Sequence, residues 1–318
     1  MSKIHLSIVV PAYNEQAGIK EFHQLLSHEL KSVGEVYEII YVDDGSHDNT
    51  LKNLHDIAKA DKAVRVISFA RNFGKEMATT AGIEHAKGEA IIIMDGDGEH
   101  PPPLINDLIE KWRGGAQVVT GVRRSRQREG VVKKLGSKVF YRMLNSYVNN
   151  TMVPGSTDYR LISRDVQTEF LKFSERHRIT RGLIDWLGFK QDYVYFDCPE
   201  RIAGKATYGT SKLVKLAVNS FVSLSLKPLF VFGWIGIIIT VLSLLFGLFM
   251  LVEQFFLGDP LGLRFTGSAL LGILISFLVG LVLSSQGIIA IYLSHVHGQT
   301  QGRPMYVVDQ RNSIRVKE

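Results

Sequence analysis

Two patterns of apolar residues divide this chain. In the first part, short apolar runs alternate with longer stretches of helical composition. Residues 6–10, 37–42, 64–68, 90–94 and 117–121 predict strands, and residues 19–30, 50–60 and 75–86 predict helices between them. That alternation predicts an α/β domain, a Rossmann-like and mostly parallel sheet covered by helices. Beyond Pro228 the pattern changes to two charge-free apolar runs, about 229–251 and about 267–293. The first, with about 23 residues at about 1.5 Å each, reaches roughly 35 Å, enough for a hydrocarbon core of about 30 Å. Both runs are predicted to be transmembrane helices. Gly272, Gly280, Ser284, Ser285 and Gly287 in the second are small enough to let helices approach in lipid, which permits a homo-oligomer. Ahead of the spans, Leu213, Leu216, Ala217, Phe221 and Leu224 recur near helical spacing, with Lys212, Lys215 and Asn219 between them. This predicts an amphipathic helix in the membrane interface. The expected organisation is a catalytic domain over 1–209, an interfacial helix over 210–227, a membrane hairpin over 228–298 and a tail over 299–318.

Charge sets the expected orientation. Lys205, Lys212, Lys215 and Lys227 precede the first span, and Arg303, Arg311, Arg315 and Lys317 follow the second. The connection between the spans carries only Arg264 as a base. The excess of bases places both termini and the catalytic domain in the cytoplasm. The first five residues lead directly into a strand, so no signal peptide is expected. His295 and His297 stand two apart, off a common helical face, and are expected to be interfacial polar residues. The formal net charge of +6 over 318 residues fits nucleic acid, anionic lipid or phosphorylated substrates equally, so position has to decide. The single cysteine, Cys198, excludes an internal disulfide and a multi-cysteine zinc site.

Polar clusters fall where the predicted strands end. Pro11-Ala12-Tyr13-Asn14-Glu15 follows the first strand, Asp43-Asp44-Gly45-Ser46 the second, and Asp95-Gly96-Asp97 the fourth. In parallel sheets ligands bind beyond the carboxyl ends of the strands, so these clusters are expected to converge on one edge. A G-x-G-x-x-G fingerprint, a phosphate-binding G-x-x-x-x-G-K-[ST] loop and an H-E-x-x-H motif are all missing from the sequence, which argues against a dehydrogenase, an ordinary ATPase and a zinc protease. Asp95 and Asp97 offer hard oxygen ligands suited to Mg²⁺ or Mn²⁺, which could also take diphosphate oxygens. Gly96 leaves the backbone open to a close ligand, and Glu99 is a candidate third ligand. Arg123 opens a basic run through Arg124, Arg126, Arg128, Lys133 and Lys134, most of which is expected to be a solvated face.

Taken together, Val9-Val10-Pro11-Ala12-Tyr13-Asn14-Glu15, Val42-Asp43-Asp44-Gly45-Ser46, Arg71-Asn72-Phe73-Gly74-Lys75 and Asp95-Gly96-Asp97 resemble the family 2 glycosyltransferases of GT-A fold. With the paired spans, the chain resembles their polyprenyl-phosphate branch, which includes dolichol-phosphate mannose synthases and GtrB-type bactoprenol glucosyltransferases. The resemblance implies that Pro11, Ala12, Tyr13, Glu15 and Asp43 hold the nucleoside, and that Lys75, Asp95 and Gly96 complete the nucleotide-sugar site. It implies a metal on Asp95, Asp97 and Glu99, where the family's usual D-A-D-L-Q becomes Asp95-Gly96-Asp97-Gly98-Glu99. Arg123, Lys133 and Ser137 match positions that bind the acceptor phosphate, and Arg201 and Lys205 match the family's juxtamembrane element. Gly155-Ser156-Thr157-Asp158-Tyr159-Arg160 resembles the G-D-F-R segment, which makes Asp158 the carboxylate near the reacting centre or else a member of a structural ion pair with Arg160 or another base. The implied reaction is an inverting, metal-dependent transfer of a sugar, glucose from UDP-glucose or mannose from GDP-mannose, to a polyprenyl phosphate such as undecaprenyl phosphate. The expected partners are donor, lipid acceptor and membrane, and no nucleic acid. Two rivals are a processive polysaccharide synthase, of whose Q-x-x-R-W element residues 180–186 carry only an echo, and a non-catalytic scaffold.

Overall fold

Seven strands in the order β3-β2-β1-β4-β6-β5-β7 form one sheet in this computed structural model, which describes residues 5–124, 153, 155–175, 178–197, 238, 241, 245, 249, 252 and 267–316. The parallel half comprises β1 (Leu6–Ala12), β2 (Tyr37–Asp43), β3 (Val64–Ser68) and β4 (Ala90–Ile93). The other half comprises β5 (Val118–Arg123), β6 (Ser156–Ser163) and β7 (Gln191–Phe196). β6 runs antiparallel to both β4 and β5, and β7 is parallel to β5. The five strands and three helices expected within residues 6–121 are all present, with ends shifted by up to three residues. β6 and β7 had no counterpart among the expected strands.

Alternation of side chains across the sheet builds two cores. Leu6, Ile8, Val10, Ile39 and Tyr41 pack on one face, under α1 (Ile19–Val33), α2 (Thr50–Ala60) and α4 (Leu104–Arg113). Val9, Ile40, Val42, Ile67 and Ile91 pack on the other, under α3 (Lys75–His85), α5 (Arg164–Phe170) and α6 (Thr180–Trp186). α1 buries Ile19, Phe22, Leu26 and Leu30, the spacing of a single helical stripe. Helices on both faces leave the strand ends as the place where polar groups collect.

A buried ionic network ties the bottom of the sheet. Glu38 accepts from Ser7 Oγ and Lys87 N, each at 2.7 Å, and from Arg65 Nη1 at 2.8 Å. Arg65 donates further to His85 O at 2.8 Å and to Arg315 O at 3.1 Å. The last contact belongs to the C-terminal tail. Gly302–Glu318 falls in the same compact unit as Met1–Tyr208, whereas Gly209–Gln301 forms a second unit. Ile314 pairs antiparallel with Val66 and Val308 with Phe69, so the tail covers the outer edge of β3, an edge that would otherwise present unpaired backbone. On the other side of the domain, Arg123 N donates to Gly155 O at 2.9 Å and draws together the ends of β5 and the segment entering β6.

In the second unit, α7 (Gly267–Thr300) is 34 residues long. Leu271, Ile275, Val279, Val282, Ile289, Leu293 and Val296 along it are exposed. The interfacial helix, most of the expected first span and several side chains of α7 lie outside the described residues. Among the described residues alone, no helix is long and apolar enough to cross a membrane.

Replacing Glu38 with Ala leaves the Arg65 guanidinium buried without its carboxylate. We expect a loss of about 3 kcal/mol in chemical denaturation, the order found when one member of a buried ion pair is removed.

Candidate active site

The loops after β1 and β2 are laced by reciprocal hydrogen bonds. Parallel register sets Ala12 beside Asp43 and Asp43 beside Ser68 at the strand ends. Past that line, Asn14 N donates to Ser46 Oγ and His47 N donates back to Asn14 Oδ1, both at 3.0 Å. Glu15 N donates to Thr50 Oγ1 at 2.8 Å, and Gln16 N to Asp48 Oδ2 at 3.2 Å. Asp48 also accepts from Thr50 N at 2.9 Å and so satisfies the first turn of α2. Gly45, at φ 66°, sits against the next loop: a Cβ there would come within 2.4 Å of the Arg71 carbonyl carbon. Only glycine allows that approach.

Asp43 and Asp44 are adjacent and both buried, but they do different work. Asp44 accepts from Phe73 N at 2.7 Å and from Gly74 N at 2.9 Å, which fastens the β3–α3 loop to the end of β2. Burial pushes its carboxyl up and these two amides pull it down, leaving it above the ordinary aspartate value. Asp43 is 1% exposed and receives Ser46, whose N donates to Oδ2 at 3.3 Å. Its Oδ1 is buried and accepts no hydrogen bond among the described residues. Burial raises the Asp43 carboxyl as well. An acceptor buried without a donor is costly and is ready for one supplied by a ligand. Tyr13 stands exposed close by, edge-on to the His47 ring at 6.5 Å.

The second part of the site is an ammonium between two carboxylates. Lys75, the first residue of α3, lies 2.7 Å from Asp95 Oδ1 and 3.0 Å from Asp158 Oδ2. Burial alone would depress the Lys75 ammonium, but the two carboxylates outweigh it and its affinity for a proton is raised. Burial would raise Asp158 in the same way. The charges of Lys75 and Arg181 and the Lys75 hydrogen bond overcome it and hold the Asp158 carboxyl at about 2. Asp158 is therefore ionised and a weak proton acceptor. It is not the partner of Arg160, which reaches Asp185 on α6 at 2.6 Å in a buried ion pair. A small cavity beside Asp158 is lined by Lys75, Arg160, Thr180 and Arg181 among others.

The turn after β4 is supported from below. Asp97 Oδ1 accepts from Glu99 N at 3.0 Å, and Gly98 turns at φ 85°. His100, 3% exposed and stacked on Tyr159 at 5.0 Å, accepts from Asp95 N on Nδ1 at 2.9 Å. Burial lowers the imidazole, so it is neutral, and the accepting Nδ1 leaves the proton on Nε2. Glu99, the third candidate ligand, is held by a base from β5. It meets Arg123 Nη2 at 2.8 Å, and Arg123 Nε is buried with no partner among the described residues. Among the described residues no three His, Cys, Asp or Glu side chains cluster to hold a metal. Asp95 and Asp97 still suit a divalent ion that takes one or two carboxylates from protein and the rest from phosphate, the usual habit of Mg²⁺.

The fold thus brings together Pro11, Ala12, Tyr13, Glu15, Asp43, Lys75, Asp95, Gly96, Asp97 and Asp158, with Glu99 and Arg123 paired beside them. Lys133, Ser137, Arg201 and Lys205 lie outside the described residues. Sequence reasoning missed His100 and Arg181. His100, three residues after Asp97 and followed by Pro101-Pro102-Pro103, carries a signal in its place. Arg181 carries none until α6 is seen to face Asp158.

Comparison with known proteins agrees with this geometry. The profile of the family described as Glycosyl transferase family 2 matches residues 7–170. An uncharacterized glycosyltransferase of Synechocystis is 38% identical over 305 residues, covering 96% of this chain and 95% of that protein. The prophage bactoprenol glucosyl transferase homolog of Escherichia coli is 35% identical and covers 95% of this chain and 98% of its own length. The bactoprenol glucosyl transferase of Shigella phage SfX is also 35% identical, over 96% of this chain and 99% of its own. Among solved structures, mannosyl-3-phosphoglycerate synthase from Rubrobacter xylanophilus shares the fold, with a TM-score of 0.50 at 16% identity over 68% of this chain and 71% of that one. The chain belongs to glycosyl transferase family 2, with an α/β catalytic domain of GT-A type. Its near-full-length relatives place it with the GtrB-type enzymes of that family.

Because burial raises the Asp43 carboxyl, its contribution to stability is fully present below the unfolded aspartate pKa of about 3.9 and is lost as pH rises through the folded value. Asp43→Asn removes the buried charge and should therefore melt higher than the parent at pH 7 without ligand, by roughly 2 °C or more. The gap should close below about pH 4. An equal melting temperature at pH 7 would refute the assignment of Asp43 as an uncompensated buried charge.

Proposed function

We propose that the protein transfers glucose from UDP-glucose to a polyprenyl phosphate such as undecaprenyl phosphate, with inversion at the anomeric carbon. A phosphate oxygen of the lipid bonds to that carbon as the bond to the nucleoside diphosphate breaks. The observation that carries the reading is the meeting, on one rim, of the unpartnered buried acceptor Asp43 Oδ1 and the Lys75–Asp95–Asp158 cluster. The relatives named as bactoprenol glucosyl transferases favour glucose and a polyprenyl acceptor.

In this reading Asp43 Oδ1 accepts from a nucleobase N–H, and Tyr13 offers an exposed ring beside it. Pro11, Ala12 and Glu15 complete the nucleoside wall, and Gly96 lets the diphosphate approach the backbone. Asp95 and Asp97 would hold Mg²⁺ or Mn²⁺, which when bound neutralises charge on the departing diphosphate. His100 fixes the backbone of Asp95 and so the aim of that carboxylate. Lys75 holds Asp95 and Asp158 at a set distance. Asp158 needs to take no proton, because the acceptor oxygen is anionic at neutral pH. It orients the sugar, a role that suits a carboxyl held at about 2. Arg123, with Lys133, Ser137, Arg201 and Lys205, receives the acceptor phosphate, and Glu99 steers Arg123 instead of binding metal.

The membrane reading rests on the two apolar runs and on chain connectivity. Gly209–Gln301 leaves the catalytic unit and returns to it, since Gly302–Glu318 belongs to that unit. A segment that starts and finishes on one side of a bilayer crosses it an even number of times, in keeping with two spans and both termini in the cytoplasm. The exposed apolar residues of α7 are those expected of a lipid-facing helix.

The decisive experiment offers detergent-purified protein UDP-glucose, GDP-mannose and UDP-N-acetylglucosamine with undecaprenyl phosphate and counts product extracted into organic solvent. Lipid-linked glucose is expected; a water-soluble polymer would overturn the reading in favour of a polysaccharide synthase. Asp97→Ala should lower turnover by at least about 100-fold, the scale of losing a transition-state charge stabiliser. Glu99→Gln should raise the KM for the lipid several-fold and leave the divalent-ion requirement unchanged. A shifted metal dependence in that variant would show Glu99 to be a ligand.

A further inference from the structure

The rim described above is held from outside as well as from within, by residues that follow the second apolar run. Ala70 N donates to Val307 O at 3.0 Å and Asp309 N to Ser68 O at 2.7 Å, so the tail pairs with the chain just where β3 ends. Ser68 N donates to Ser313 Oγ at 3.0 Å, and Ser313 Oγ donates to Asp309 O at 2.7 Å. The Tyr306 ring stacks on Phe69 at 4.9 Å and 17°, and its hydroxyl donates to Glu84 on α3. Phe69 in turn meets Phe73 edge-on at 5.7 Å. Phe73 N and Gly74 N are the two amides that Asp44 accepts, and Lys75 follows directly. Arg71, between them, lies over the Phe73 ring at 4.1 Å and against Gly45. Ring contacts lead from Tyr306 to Phe69 and Phe73, Asp44 grips the backbone of Phe73 and Gly74, and the chain runs on to Lys75, which meets Asp95 and Asp158.

On the reading of this rim as the donor site, we propose that the tail around Tyr306–Ser313 is a positioning element of that site. Docked on β3, it fixes the β3–α3 loop and so the aim of Lys75. β3 is a five-residue edge strand. Without the tail its outer hydrogen bonds go to water. The loop beyond would keep the Asp44 carboxylate and the Phe69 N–Asp43 O bond but lose the ring that covers Phe69. Edge strands and loops with few buried contacts open most readily, so the tail supplies order where the donor needs it. Tyr306 touches neither donor nor acceptor and acts through Phe69 and Phe73.

The test reads the loop directly and needs no knowledge of the substrate. Amide hydrogen exchange would be followed at Phe73 and Gly74 in the full chain, with Val9 and Val10 of β1 as the control for global opening. Tyr306→Ala should speed exchange at Phe73 and Gly74 by about tenfold, the upper range for loss of one aromatic pair, with Val9 and Val10 unmoved. Tyr306→Phe, which keeps the stack, should exchange like the parent. Tyr306→Ala should also weaken binding of UDP or GDP, measured by calorimetry, and raise the donor KM while the lipid KM holds. A chain ending at Gln301 should show the same defects more strongly, and a synthetic peptide of residues 302–318 should restore nucleotide binding. Parent-like exchange and nucleotide affinity in Tyr306→Ala would overturn the proposal, whether or not the shortened chain folds. Failure of every donor and acceptor in the parent would sink the transferase reading instead, and would leave the exchange experiment intact.

Discussion

An ammonium ion placed between two carboxylates governs this site. Asp95 comes from the end of β4 and Asp158 from the start of β6, two neighbouring strands that run in opposite directions. Left alone, two such groups would repel, and one would take up a proton. Lys75 removes that option, keeps Asp158 ionised and sets the separation of the pair. Everything that aims Lys75 then matters to the chemistry: the Asp44 carboxylate that grips the two preceding amides, the missing side chain at Gly45 that lets the Arg71 segment close in, and the helix that begins at Lys75 itself. The reversal of β6 has the same importance. A parallel strand at that position would carry its first residues to the opposite end of the sheet, away from Asp95.

Much of the parallel half was legible from the chain. α2 and β3 fall on their expected residues, because Thr50–Ala60 and Val64–Ser68 each carry a single clear periodicity bounded by polar residues. The convergence of the first two polar clusters also followed from parallel order. What escaped was set by distant partners. β6 opens with Ser156, Thr157 and Asp158, which are only partly buried, and full burial begins at Tyr159, so half the strand lacks an apolar signature. β7 opens with Gln191 and Asp192, and only Val194 and Phe196 along it are buried. Glu99 stands next to an aspartate pair, and its ion pair with Arg123, which arrives from β5, could not be read from spacing along the chain. His100 was not singled out, because its value lies in stacking on Tyr159, far along the chain.

The tail is the extreme case. Met305, Tyr306 and Val308 pack into one core cluster and Ile314 against the other, yet nothing local marks the segment as part of the catalytic domain. Its partners on β3 lie some 245 residues earlier, as in the Ser68–Ser313 contact. Hydrophobic periodicity is a local signal and cannot report which distant strand edge a short apolar segment will pair with. The catalytic unit is accordingly discontinuous in sequence, closed by residues that follow the second apolar run.

The link between Arg123 N and Gly155 O has a consequence for how such enzymes diversify. It works as a drawstring: whatever chain leaves after β5 must come back through the same gap before β6 starts. Insertions, deletions or wholesale exchange of that excursion among relatives would leave both flanking strands in register and the aspartates undisturbed. Arg123 stands at the mouth of the gap. Whatever changes in the intervening chain is thereby kept from the strands on either side, which this one bond holds in place.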